Sequence, residues 1–242
     1  MKKGFTLVEL SIVLVIIGLL ISGLLVGQSM ITASKIQSQI KQFQQFDVAV
    51  ANFHTMYDSL PGDSTYFGGD GDGIIEPAAN NYDTWSGEIG SFWADLSTIG
   101  LKNESGGTYT ATFSASAFPF GGDNSPKALV GENSGVLAYG GSSQNLMGPS
   151  PPSVNQYVVA NFTASTASTN LDAVMNIPHN EILAVDVKMD DGVGNSGNVV
   201  SSVEENENLE ELINNDSEAY NSGVYPNMMM IVRMGASNGE PR

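Results

Sequence analysis

The chain has 242 residues and no cysteine, and its 26 acids against 9 Lys and Arg give a formal net charge of −17. The imbalance is uneven: residues 1–41 carry Lys2, Lys3, Lys35 and Lys41 against Glu9, whereas residues 42–242 carry 25 acids against five bases, a net of −20. Disulfides and thiolate chemistry are excluded, and nucleic-acid binding by the acidic part is disfavoured because its surface repels phosphate backbones.

From Phe5 to Met30 the one ionisable residue is Glu9. The uncharged run from Leu10 to Val26 is about 17 residues, near the lower limit for crossing a hydrocarbon core. Lys2 and Lys3 precede it, so the positive-inside rule puts the N-terminus in the cytoplasm and the rest outside. A cleavable secretory signal would lose its helical pattern after a small-residue site. Here the pattern continues: Ile36, Ile40, Phe43, Phe46, Val50, Phe53 and Tyr57 recur at steps of three and four, the period of one helix face. The residues predict one helix from about Phe5 to about Asp58, ended by Pro61 and Gly62. At 1.5 Å per residue it is roughly 80 Å long. Its first half is apolar all round and suits lipid; its second half is amphipathic and suits a packed domain.

The stretch "KKGFTLVELSIVLVIIGLL" resembles the type III signal sequence of type IV pilins and type II secretion pseudopilins. A short basic leader ends in Gly4, and Phe5, Thr6, Leu7 and Glu9 precede the apolar run. The resemblance covers about the first 30 residues. It implies cleavage by a prepilin peptidase between Gly4 and Phe5, N-methylation of Phe5, and an inner-membrane precursor with a periplasmic domain. It further implies polymerisation by the inner-membrane assembly machinery, either with copies of itself or with other pilin subunits. The end product is then a surface pilus or a periplasmic pseudopilus. Many pilins break the helix with a proline near the position of Val26; this chain offers Gly18, Gly23 and Gly27 instead, so local melting on assembly is expected to start there. The implied organisation is a leader (1–4), a membrane and filament-core half-helix (5–30), an amphipathic half-helix (31–58) and an acidic domain (59–242).

Glu9 has two readings. An acid at the centre of a membrane helix costs about 2.5–3.5 kcal/mol on insertion scales. Close to the helix start, it can reach the interface with help from the helix dipole. Alternatively it pairs with the Phe5 ammonium of a neighbouring subunit and sets axial register in a water-poor bundle.

Beyond Pro61 the chain is rich in Gly, Ser, Thr and Asn with short apolar runs. Strands are predicted at 108–118, 136–140, 157–164, 181–189 and 227–234, and short helices at 91–100 and 203–215. The expected fold is α+β: the long N-terminal helix with an antiparallel sheet laid on its distal half, a pilin-like arrangement. "GPSPPS" (148–153) reads as a turn or short linker.

Two acidic, glycine-rich stretches are candidate cation sites. In "GGDGDGIIE" (68–76), Asp70, Asp72 and Glu76 sit with Gly73 and Ile75 as in the central part of an EF-hand loop, where carboxylates meet a hard cation such as calcium. The first ligand position is Gly68 and the twelfth Ala79, so the usual bidentate glutamate is absent. The second stretch, 186–199, offers Asp186, Asp190, Asp191 and Asn195, and reads equally as a polar hairpin turn. Both stretches also read simply as solvated turns.

Signals for catalysis are poor. His54 and His179 are far apart, and no nucleophile–base order, metal-ligand spacing or phosphate loop is present. Trp85, Trp93 and the Met228–Met230 run read as core, although a tryptophan platform for stacking sugars is an alternative. The sequence points to a non-enzymatic structural subunit of a pilus-like filament. The alternatives are a major or minor type II secretion pseudopilin, or a membrane-tethered, calcium-dependent adhesin. The roughly 180 residues after the helix favour a pilin or a larger minor subunit.

Overall fold

The spine of the molecule is helix α1 (Leu7–Tyr57). In this computed structural model the described residues are 6–76, 87–111, 122–140, 154–164, 171–174, 176–194, 196–202 and 227–235. Thr6 caps the start of α1, and Asp58 ends it in the left-handed conformation (φ 52°) with its N–H on the His54 carbonyl at 2.8 Å. The helix runs unbroken through Gly18, Gly23 and Gly27, around whose missing Cβ atoms nothing lies within 4 Å.

The two halves of α1 divide as their residues dictate. The large apolar side chains from Leu7 to Ile31 are exposed, and the most apolar window contains no buried residue. From Ile36 onward the stripe turns inward. Ile36, Phe43, Phe46 and Phe53 are buried, with Ile40, Val50 and Tyr57 packed beside them.

Helix α2 (Glu88–Thr98) places Ile89, Phe92, Trp93 and Leu96 on one buried face, the i, i+3, i+4, i+7 spacing of an amphipathic helix. Trp93 is the hub of the core: its ring lies 4.7 Å from Phe46 of α1, 4.8 Å from Phe92 and 6.3 Å from Tyr157. Such pairs are worth about 0.5–1.5 kcal/mol each beyond area burial.

The sheet is formed by β1 (Gly135–Tyr139), β2 (Gln156–Ala164), β3 (Leu171–Val174), β4 (Ile177–Pro178), β5 (Val199–Ser202) and β6 (Asn227–Arg233). All their pairings are antiparallel. β2 takes β1 on one edge (Val136 opposite Val159) and β6 on the other (Val158 opposite Ile231), and its second half pairs with β3. β6 pairs in turn with β5 (Ile231 opposite Val200) and, at its start, with β4. β1 is buried on both faces, and Met228, Met229 and Met230 of β6 are core residues. The α+β class expected from the sequence is the one observed.

One expected strand is a helix. Residues 181–189 lie in α3 (His179–Met189), which turns Ile182, Val185 and Asp186 inward with Met189 partly buried against the core. The alternation of β-branched residues suggested period two, but the buried set follows 3.6. Glu181 lies in the first turn and Lys188 in the last, both favourable to the helix dipole. The 186–199 stretch therefore joins a helix to β5 and is not a hairpin turn. Residues 108–111 lie outside any strand; the rest of the 108–118 expectation, the 203–215 helix, "GPSPPS", Trp85 and Asn195 fall outside the described residues.

Candidate functional site

At the start of α1, Thr6 and Glu9 form a reciprocal cap. Glu9 Oε2 accepts the Thr6 N–H at 2.8 Å and the Thr6 hydroxyl at 2.9 Å, while Thr6 Oγ1 accepts the Glu9 N–H at 3.2 Å. This T-x-x-E box satisfies two helix-end donors. In the single chain the acid is therefore engaged with its own helix terminus. Gly4 and Phe5 fall outside the described residues. Beyond Glu9 the apolar half of α1 is a bare stem, long and apolar enough to cross a membrane.

At the far end of α1 a loop is fastened by buried acids. Asp63 accepts the N–H groups of Gly71 at 2.8 Å and Gly73 at 3.1 Å. Glu88, opening α2, accepts those of Asp70 at 3.0 Å and Glu76 at 3.2 Å, and Asp95 accepts that of Gly62 at 2.8 Å. Asn155 holds the loop to the sheet, accepting the Ile75 N–H at 2.9 Å and donating to the Gly73 carbonyl at 2.9 Å. Gly69 allows the chain to close: a Cβ there would collide with the backbone carbonyls of Gly62 and Asp63.

Burial makes these carboxylates weak acids. Glu88 is pushed up to about 7, chiefly by burial and further by the charges of Asp63 and Asp70, against the lowering effect of its two backbone donors. Burial also raises Asp95 to about 6. Asp63 and Glu76 are raised by burial first and then by Asp72 and Asp70.

Carboxylate oxygens of Asp63, Asp70 and Asp72 lie within 4.8 Å of one another, a set of hard oxygen donors suited to a divalent cation such as calcium. The structure thus joins Asp70 and Asp72 to a third acid, Asp63, and Glu76 is not in that group. Instead the Glu76 backbone pairs with Glu88 at both its N–H and its carbonyl. The second stretch does bring Asp186, Asp190 and Asp191 together. There, Asp186 accepts the Gly192 N–H, Asp190 those of Asn198 and Val199, and Asp191 that of Val193 and the Ser196 hydroxyl at 2.7 Å. Those two donors hold Asp191 below the usual carboxylate range.

The capping role of Thr6 is already stated by its T-x-x-E spacing to Glu9. Asp63, Glu88, Asp95 and Asn155 carry no comparable local signal in the sequence. Asp63 directly follows the Pro61–Gly62 breaker, but its partners are set by tertiary closure; Asn155 acts across 80 residues, beyond any local pattern.

No curated protein and no solved structure matches the chain. Residues 1–25 match the family model described as the prokaryotic N-terminal methylation motif. That motif implies processing by prepilin peptidase and assembly with other pilin subunits, and with the apolar stem it is consistent with a membrane-anchored precursor. The chain carries the prepilin signature of type IV pilins and pseudopilins.

Proposed function

We propose that this protein is a structural subunit of a type IV pilus-like filament and acts by packing, not by turnover. The observation that carries the reading is the continuity of α1. An exposed apolar stem that starts at a methylation motif passes without a break into a stripe buried in the acidic domain. Such a stem has two environments in which its surface leaves water: lipid before assembly, and a bundle of like helices afterwards. Cleavage between Gly4 and Phe5 frees an ammonium one residue before the Thr6–Glu9 cap, which in a filament would pair with a neighbour's carboxylate. The acidic domains then coat the outside of the filament, where like charge favours solubility.

Mass spectrometry of the mature chain tests the first step: loss of residues 1–4 and one added methyl on Phe5 are expected, and Gly4→Asp should abolish both. Shearing of cells tests the second, with release of filaments whose bulk component is this chain. A mature chain that keeps its leader, or that is found outside any filament, overturns the reading.

A further inference from the structure

A groove of about 640 Å³ runs between the stem of α1 and the 127–133 loop, lined by Ser34, Lys35, Ser38, Lys127, Leu129 and Glu132 among others. We propose that it holds the headgroup of an anionic phospholipid while the subunit stands in the membrane. The inference rests on the reading that the apolar half of α1 spans a bilayer.

The first argument is depth. With Glu9 at one face of a hydrocarbon core of about 30 Å, roughly 20 helical residues reach the other face near Gln28. Lys35 is then about 10 Å further along the axis, and helical side chains lean back toward the N-terminus. Its ammonium therefore falls in the headgroup layer, which is roughly 5–8 Å thick on each side.

The second argument is construction. The loop wall is tied down: Gln39 accepts the Leu129 N–H at 2.7 Å, Gln42 donates to the Lys127 carbonyl at 2.8 Å, and Glu181 accepts the Gly131 N–H at 3.0 Å. Glu104 accepts the Lys127 backbone N–H at 3.1 Å. The loop wall of the groove is thus held by the fold itself.

The third is charge. Lys35, Lys127 and Glu132 line the groove, and Glu104 and Glu181 engage the backbone of its loop wall, so the attraction for an anionic headgroup is local to the two ammonium groups. Among the described residues neither ammonium has an ion-pair partner. Residues 42–242 otherwise carry net −20, which repels an anionic surface. A local cation pair at the lipid-facing edge offsets that repulsion where the domain must touch the bilayer. Ser34 and Ser38 add hydroxyl donors, and Leu129 adds an apolar side chain to the lining.

Native mass spectrometry of the full-length chain, released from micelles holding equal phosphatidylglycerol and phosphatidylcholine, tests this. Phosphatidylglycerol adducts should dominate. Lys35→Gln and Lys127→Gln should each lower that preference about fivefold, the factor set by roughly 1 kcal/mol per base at a membrane surface. Lys188→Gln, outside the groove, should leave it unchanged, as should millimolar inorganic phosphate. Equal retention of the two lipids, or a double lysine variant that keeps the preference, overturns the proposal. Displacement by free phosphate overturns its lipid source. Fewer oligomers in the lysine variants with unchanged lipid adducts would assign the groove to a second copy of the chain instead. Alkaline extraction of membranes separates the two readings. A chain that washes off refutes the membrane stem, while one that stays but shows no preference refutes only the groove.

Discussion

The Tyr157 hydroxyl donates to Asp47 Oδ1 at 3.2 Å in the buried space between β2 and α1, and the same oxygen accepts the Gly235 N–H at 2.9 Å. One acid on the stripe face of the helix thus holds both the central sheet and the turn after β6. Burying an acid there is tolerable because its Oδ1 takes two donors. Tyr157→Phe keeps the ring against Phe43 and Trp93 and removes only the donor. The expected loss is about 1.5–3 kcal/mol, as for a hydrogen bond to a charged group. At about 2–4 °C per kcal/mol for a domain of this size, thermal unfolding should report it. A melting temperature equal to wild type would show that this bond contributes nothing.

The carboxylates that close the 62–76 loop predict the pH dependence of stability. Glu88, raised to about 7, and Asp95, raised to about 6, hold protons more tightly folded than unfolded. The contribution of Glu88 is fully present below about 4.5 and that of Asp95 below about 3.8, and they are lost as pH rises through 7 and 6 respectively. The domain should therefore melt higher at pH 5 than at pH 8. Solvent at the loop rim screens part of the effect, so a difference of a few degrees is expected. Net charge pushes in the same direction, and Glu88→Gln separates the causes because it keeps an acceptor without a titrating group. The variant should reduce the slope between pH 5 and 8, leaving the part that Asp95 and net charge contribute; an unchanged slope would show that Glu88 contributes nothing to it.

Legibility followed the range of the interactions. The α1 stripe was readable because Ile36 through Tyr57 record a local period, and every one of its named members faces the core. The buried Gln39 and Asp47 on the same helix were not readable, since their partners, Leu129 and Tyr157, lie 90 and 110 residues away. α3 was misread because Val185 and Val187 alternate as in a strand, whereas the burial of Ile182 and Val185 and the exposure of Val187 follow the helical period. Of the acids in 68–76, the alternating positions were visible. The third member of their cluster, Asp63, joins them only when Gly69 lets the backbone fold onto itself.

Glu9 is where the local and the intermolecular readings meet, and one substitution divides them. In the single chain its carboxylate caps α1 through Thr6. After cleavage the new amino terminus lies one residue before Thr6, so the same carboxylate stands ready to exchange its own helix end for a neighbour's ammonium. Gln serves as well as Glu in a capping box, so Glu9→Gln preserves the helix start and removes only the charge. The variant should be cleaved normally and show wild-type helicity by circular dichroism, yet yield at least about tenfold fewer sheared filaments. Breaking one partner of a buried pair costs about 3–5 kcal/mol, ample for that loss. Thr6→Ala should do the reverse, weakening the helix start by about 1 kcal/mol while filaments persist. Wild-type filament yield from Glu9→Gln would leave capping as the whole role of the acid and sink the intersubunit pair.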